Sequence, residues 1–464
     1  MTIPTIAEAA SLIAARKLSP VELTQACLDR MTRMDGALNA FILPTQERAL
    51  ADARAAEAEI MKDGPRGKLH GIPMGLKDIV DTAGIPTTCQ SRLLAGNVPT
   101  TDAACARSLA AAGTVLMGKL TTHEFADGGP SFDLPAPPAR NPWNTDHFTA
   151  GSSSGTGAAV ASGMILCGIG TDTGGSIRGP AALCGIAGIK PTYGLVSRAG
   201  VAPAAFSLDT IGPMAWTAED CAIMLQALAG YDPADPASAD RPVPDFSALL
   251  GTGLKGVRIG IIRHFHETDS PVSPAVQAGI DNAVAAFQAM GAVISDVTLS
   301  PMQDWHACGS LISMTERATA YEEWARTRLS EFSERVQRRL MLGAMVSGVD
   351  YLQAVRRRRE LRAELRVAMA DLDVVLTAAA FGEAPKMDAI PRWDVFDRPS
   401  ITIPFNVAGY PAMSVCSGFG PNGLPVSLQI VGKPFQEATV FQVADAFEKE
   451  TGFRARRPAM VGQV

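Results

Sequence analysis

The sequence predicts an α/β protein: one large body of mixed strands and helices, interrupted late by a helical insertion. Three observations predict it. From Leu69 to about Met214, short β-like runs such as Thr114-Val115-Leu116-Met117 alternate with Gly/Pro turns and small-residue helices. Between 256 and 294 a buried strand, a helix and a second strand follow one another as a βαβ-like unit. Buried strand patterns return at 373–376 and 423–431 beyond a charged helical block, so that block interrupts the body rather than ending it.

Each stretch has its local justification. Residues 1–63 read as helices. Ser19-Pro20-Val21-Glu22 is a capping box with proline at the first helical position, and Leu23, Cys27 and Met31 follow at helical spacing. The Ala/Glu-rich run from Thr45 to Lys62 is a second helix, ended by Asp63-Gly64-Pro65. Residues 64–215 carry the alternating α/β texture. Residues 216–300 continue it with a helix over 217–230, a Pro/Ala/Asp-rich connection from Tyr231 to Asp245, a strand over 256–262, a helix from Ser273 to Met290 and a strand starting at Ala292. The block 301–372 is helical and charged. Its run Arg356-Arg357-Arg358-Arg359 is interleaved with Glu360 and Glu364 at i+4 spacings, which predicts a solvated face laced with ion pairs. Residues 373–464 supply late core strands and a last helix from about Ala438 to Thr451.

Composition narrows the function classes. The chain has 464 residues, with 41 Lys+Arg against 47 Asp+Glu and a net charge of −6, which argues against a nucleic-acid binder. Its 47% hydrophobic content is too high for a disordered chain. Eight scattered cysteines without a C-x-x-C pair, and an N-terminus without the basic start and apolar run of a signal sequence, predict a reduced, cytoplasmic protein. The longest apolar run, Gly157 to Gly170, is too short to span a bilayer, so no membrane association is expected. Of the six histidines only His264 and His266 lie close together and nothing completes a ligand set, so neither metal nor cofactor is expected. The 43 glycines concentrate between 150 and 200, which predicts close backbone approach there.

Three segments in the first half carry chemistry. In His70-Gly71-Ile72-Pro73-Met74-Gly75-Leu76-Lys77-Asp78 one lysine ends an apolar run. Ala150-Gly151-Ser152-Ser153-Ser154-Gly155-Thr156-Gly157 enters a small-residue helix, and Gly170-Thr171-Asp172-Thr173-Gly174-Gly175-Ser176-Ile177-Arg178-Gly179-Pro180-Ala181 runs toward another. Separately they read as a snorkelling lysine, an N-cap and a tight turn. Together they supply what acyl transfer needs. Ser176 follows two glycines, so neighbouring amides can converge on an oxyanion. A lysine acts as a base only when neutral, which burial around Lys77 would provide. A second serine can pass the proton between them.

In order and in residues, these segments resemble the amidase signature family of serine amidohydrolases, over about 65–215 and again at Phe405-Asn406-Val407-Ala408-Gly409-Tyr410-Pro411-Ala412 and Gly423-Leu424-Pro425. The resemblance implies that family's fold, a mixed, mostly central twisted sheet flanked by helices. It implies a triad of Ser176 as nucleophile, Ser152 as the serine after a cis peptide, and Lys77 as the base acting through it. It further implies an oxyanion hole from the amides of Thr173, Gly174, Gly175 and Ser176. Asp172 and Arg178 are expected to form a supporting ion pair, and Ser153 to hydrogen-bond behind the site. The loop of Phe125, Ala126 and Gly128 lies where family members line the acyl pocket, although Phe125 equally suits a core position. Ala150, Ser154 and Thr156 depart from the family pattern by small-for-small changes.

The expected substrate is a small-molecule amide. No fixed cation is identifiable as a carboxylate anchor, which leans the reading toward a neutral or aryl amide; carbamates and esters suit the same acyl-enzyme, and malonamate- or urea-type substrates stay open. Met74, Trp305, Met314, Tyr321, Trp324, Met341 and Met345 are candidates for an apolar pocket wall, or for core. A homodimer is compatible with all of this. Rival readings remain. Gly151-Ser152-Ser153-Ser154-Gly155 fits the G-x-S-x-G elbow of an α/β-hydrolase esterase, with Ser153 as nucleophile. Arg338-Arg339-Leu340-Met341-Leu342-Gly343 resembles the glutaminase subunit of a tRNA-dependent amidotransferase, yet the Asp expected before Ile401-Thr402-Ile403-Pro404 is replaced by Pro399, with Asp397 offset. A catalytically inactive scaffold of the same fold is the third.

Overall fold

The structure, a computed structural model, describes residues 3–391 and 398–462. Its strands are β1 (Phe41–Pro44), β2 (Pro73–Lys77), β3 (Val115–Leu120), β4 (Cys167–Asp172), β5 (Ala187–Lys190), β6 (Thr210–Ala215), β7 (Arg258–Ile261), β8 (Val293–Asp296), β9 (Val374–Ala378), β10 (Ala412–Phe419) and β11 (Pro425–Gly432). They form one mixed sheet in the order β1-β3-β2-β4-β6-β5-β10-β11-β9-β7-β8. Parallel pairing joins β3, β2 and β4 at one end and β9, β7 and β8 at the other; the strands between are antiparallel. The βαβ unit expected at 256–294 is the parallel β7–β8 pair.

Helices cover the sheet: α1 (Ile6–Ala14), α2 (Pro20–Leu38), α3 (Gln46–Asp63), α4 (Ala104–Ala111), α5 (Ser154–Ala161), α6 (Arg178–Cys184), α7 (Ala218–Leu228) and α8 (Pro274–Ala289). The insertion between β8 and β9 is α9 (Met302–Ala320), α10 (Glu322–Thr327), α11 (Glu334–Met345) and α12 (Gly348–Ala368); α13 (Ile403–Ala408) and α14 (Glu437–Thr451) follow. The capping box at Ser19 forms as the sequence predicts, with Pro20 at the first position of α2. The helix α5 is buried along its whole length, which only its small side chains permit between neighbouring backbones.

Two expectations are corrected. The reading of 1–63 as helices misses β1, a four-residue strand that pairs antiparallel with β3 after Asn39 turns the chain in the left-handed region (φ 50°). So short an apolar run has no period of its own. The arginine run is not a uniformly solvated face. Arg357 pairs with Glu360 (2.8 Å) and Asp304 (2.7 Å), while Arg358 turns inward to donate to the carbonyls of Val407 (2.9 Å) and Ser207 (2.9 Å). Glu364 accepts from the Ser300 amide (2.6 Å) instead of pairing along the helix.

The eight cysteines are unpaired, with Cys416 half-buried and the rest buried. Among the described residues no helix is long and apolar enough to cross a membrane.

Candidate active site

Strand register brings the first residues together. β2 and β4 run parallel as neighbours with Leu76 opposite Ile169, so their C-terminal ends lie side by side, where an α/β sheet presents its ligands. Lys77 ends β2 and is fully buried. Its Nζ lies 2.7 Å from Ser152 Oγ and 2.8 Å from Thr171 Oγ1. The Gly151–Ser152 peptide is cis, and the Ser152 carbonyl accepts from Thr122 Oγ1 (2.9 Å) and the His123 amide (3.1 Å). Nothing in the sequence marks Thr171, because only the β2–β4 register brings it to face the lysine.

Burial pulls the Lys77 amine down to about 7, against the carboxylates of Asp209 and Asp172, which pull it up. A substantial neutral fraction therefore exists near neutral pH. Burial also brings His123 down to about 3, so its ring is neutral. That ring stacks on Phe148 with centroids 5.8 Å apart and lies against Gly151, where a Cβ would run into it.

The loop after β4 is organised by Asp172. Its Oδ1 accepts from the Gly175 amide (2.8 Å), Asn406 Nδ2 (2.8 Å) and Arg178 Nη2 (3.0 Å), and its Oδ2 from Arg178 Nε (3.0 Å) and the Ile177 amide (3.2 Å). Burial alone would raise this carboxyl, but the Arg178 charge and hydrogen bonds, with Asn406, hold it well below the ordinary carboxylate range. The expected Asp172–Arg178 pair is thus present, with both side chains fully buried. Arg178 Nη1 reaches on to the Thr402 carbonyl (2.8 Å) and Gln429 Oε1 (3.0 Å). Thr402 Oγ1 donates to the Gly174 carbonyl (2.6 Å), and Thr173 Oγ1 donates to Asp209 (2.5 Å). Gly175 adopts φ 131°, and a Cβ there would strike Thr402. One expectation changes: the Gly175 amide is spent on Asp172, which leaves those of Thr173, Gly174 and Ser176 for an oxyanion.

Ser176 is half-buried in the wall of a cavity of about 640 Å³, together with Gly174, Gly175, Ala126 and Gly128. Phe125 does not line it. With φ 47° it turns into an aromatic cluster, with ring centroids 4.6 Å from Tyr321 and 5.5 Å from Phe332. Nor do the Met and aromatic candidates for a pocket wall or core: Trp305 and Tyr321 take the core alternative, whereas Met341 and Met345 are exposed. Ser153 is buried with its hydroxyl on the β4 backbone, 3.3 Å from the Thr171 amide, rather than in the cavity, which removes the elbow geometry from under the esterase reading.

Two arginines, neither identifiable from the sequence as a carboxylate anchor, stand in the cavity wall. Arg317 from α9 and Arg339 from α11 both line the cavity, and the buried Asp127 carboxylate ties them together at 2.9 and 3.0 Å. Both stand in the divergent insertion, Arg339 within the Arg338–Gly343 segment that resembles an amidotransferase subunit, and helical spacing does not say which side chains meet a cavity. Asp397 lies outside the described residues.

A family profile described as Amidase matches residues 22–441. The chain belongs to the amidase signature family. This amidase is 39% identical to a glutamyl-tRNA(Gln) amidotransferase subunit of Chloroflexus aggregans, over 98% of both chains. The native peptide amidase of Stenotrophomonas maltophilia matches it with TM-score 0.85 at 32% identity, over 98% of each chain. A protein of a vestigial complex, described as revealing the evolutionary origins of an s-triazine catabolic enzyme, superposes with TM-score 0.91 at 29% identity, over 97% of this chain and 99% of its own. This amidase is accordingly a hydrolase of C–N bonds, and its single α/β body is the fold of its family.

Proposed function

We propose that this amidase hydrolyses a small primary amide bearing a carboxylate, with glutamine as the first candidate, through an acyl-enzyme on Ser176. Neutral Lys77 takes the Ser152 proton as Ser152 takes that of Ser176, and Ser176 Oγ attacks the amide carbon. The amides of Thr173, Gly174 and Ser176 receive the oxyanion in a loop already fixed by Asp172, so little reorganisation is needed at the moment of attack. The relay then returns its proton to the leaving ammonia, and water repeats the sequence to free the acid.

The observation that carries the substrate class is the Asp127-tethered pair Arg317–Arg339: two guanidinium groups share one carboxylate in a cavity wall, and the positive charge left over suits an anionic substrate. Pro399 offers no carboxylate to an α-ammonium, so 4-carbamoylbutanoate, which lacks glutamine's amino group, is the informative comparison. Ammonia release from these two should exceed release from butyramide and cleavage of acetanilide by at least about tenfold in kcat/KM. Faster turnover of the neutral or aryl amide would return the reading to a neutral-amide hydrolase.

The full-length similarity to the amidotransferase component favours a second reading, a glutaminase subunit that passes ammonia to a protein partner. Glutamine hydrolysis that rises when a co-purified partner is added back distinguishes it from a stand-alone amidase.

A further inference from the structure

The insertion leaves one helix face without a neighbour among the described residues. On α12, Leu361, Leu365 and Ala354 point inward and are buried. The outward stripe is Val349, Leu352, Arg356, Arg359, Ala363 and Arg366, all exposed, and the intervals of 3, 4, 3, 4 and 3 residues keep it on one line along the helix. Met341 and Met345 at the end of α11, just before α12 in the chain, are exposed as well. Met345 is 80% exposed, Val349 68% and Leu352 61%, and with Met341 they are four of the twelve exposed large apolar side chains among the described residues, all within residues 341–352. Arg357 and Arg358 are spent on Asp304, Glu360 and backbone carbonyls, whereas Arg356 meets Gln353 (3.3 Å) and no carboxylate among the described residues. The stripe is therefore apolar in its first half and cationic in its second.

We propose that this stripe is the docking face for an acidic amphipathic helix of a partner protein, whose apolar residues cover Met345, Val349 and Leu352 and whose carboxylates meet Arg356, Arg359 and Arg366. The 3–4 spacing is that of helix-on-helix packing, and charge complementarity fixes register and selects the partner. A second copy of this chain is a poor occupant. Antiparallel pairing about the middle of the stripe sets Arg356 against Arg359, and parallel pairing sets each arginine against itself. A lipid surface is no better, because the arginines stand on the same line as the apolar residues and would be driven into the acyl layer rather than flank it. The inference is independent of which amide the site cleaves.

Two synthetic helical peptides test it on the full chain by fluorescence anisotropy. Both carry leucines spaced to meet the apolar half; one carries Glu and the other Lys opposite the arginines. The Glu peptide should bind and weaken at least about fivefold between 50 and 300 mM salt. R356E/R359E should weaken it by about tenfold or more and gain binding of the Lys peptide, while L352D should abolish both. All three sites are exposed, so amide hydrolysis and thermal midpoint should be unchanged. Equal binding of the two peptides, or no binding of the Glu peptide, overturns the proposal. Poly(U) binding lost in R356E/R359E but kept in L352D would overturn it in favour of a nucleic-acid site. A dimer dissolved by L352D would overturn it in favour of a self-contact.

Discussion

Lys77 sits at the end of β2 with its amino group out of water, and in the proposed mechanism this sets the pH at which the site works. With the amine pulled down to about 7 by burial, kcat/KM should rise with pH through about 7 as the proton is lost. The same shift has a stability side. Between about 7 and its ordinary value the unfolded chain holds a proton on Lys77 that the folded chain does not, so raising the pH through that window stabilises the fold. K77M should lower kcat by about 10²–10⁴ and remove this acid limb, as read by steady-state ammonia release across pH. S153A should keep acylation, since the Ser153 hydroxyl faces the β4 backbone rather than the cavity. Lys77, Ser152 and Ser176, the residues of the proposed relay, stand out in the sequence because each belongs to a motif of unusual local composition. Thr171 is not, because its role follows from register across two strands.

At the level of elements, the loop after β4 owes its shape to side chains from distant parts of the chain. Asp172 and Arg178 lie six residues apart and suggest a pair on sight, whereas Asn406, 228 residues beyond Arg178, stands in a segment that resembles the family but does not itself point to this pair. D172N leaves a fully buried arginine without its carboxylate, so it should cost roughly 3–5 kcal/mol in denaturant unfolding, and kcat should fall with it. Arg339 on α11 tests the substrate reading in a different parameter. R339A should raise KM for 4-carbamoylbutanoate by about 10–100-fold with less change in kcat, and R339K should recover part of the loss. An R339A enzyme with unaltered KM would detach the arginine pair from substrate recognition. The insertion's helical character is readable from its periodicity. Its contribution of two cavity arginines is not, because helical spacing does not say which face meets the cavity.

Across the whole molecule, the motifs and the late strands belong to one sheet. The antiparallel β5–β10 pair joins the half that carries Lys77, Ser152 and Ser176 to the half that carries β7, β8 and β9, and α13 brings Asn406 back over the loop after β4, with Thr402 just before it. A single body is foreseeable from strand patterns on both sides of the insertion; the strand order is not, since pairing between β5 and β10 joins Lys190 to Ala412 across nearly half of the chain. The insertion lines the cavity that holds Ser176 through His306, Arg317 and Arg339, so in the proposed mechanism one chain supplies nucleophile, relay, oxyanion loop and anchor. The central claim is that Ser176 is the nucleophile and that a neutral Lys77 activates it. The most direct measurement is peptide mapping after a fluorophosphonate probe is added across a range of pH. The account predicts a single adduct on Ser176, forming faster as pH rises through about 7 and absent in S176A. An adduct on Ser153, or labelling that persists unchanged in S176A, would contradict it.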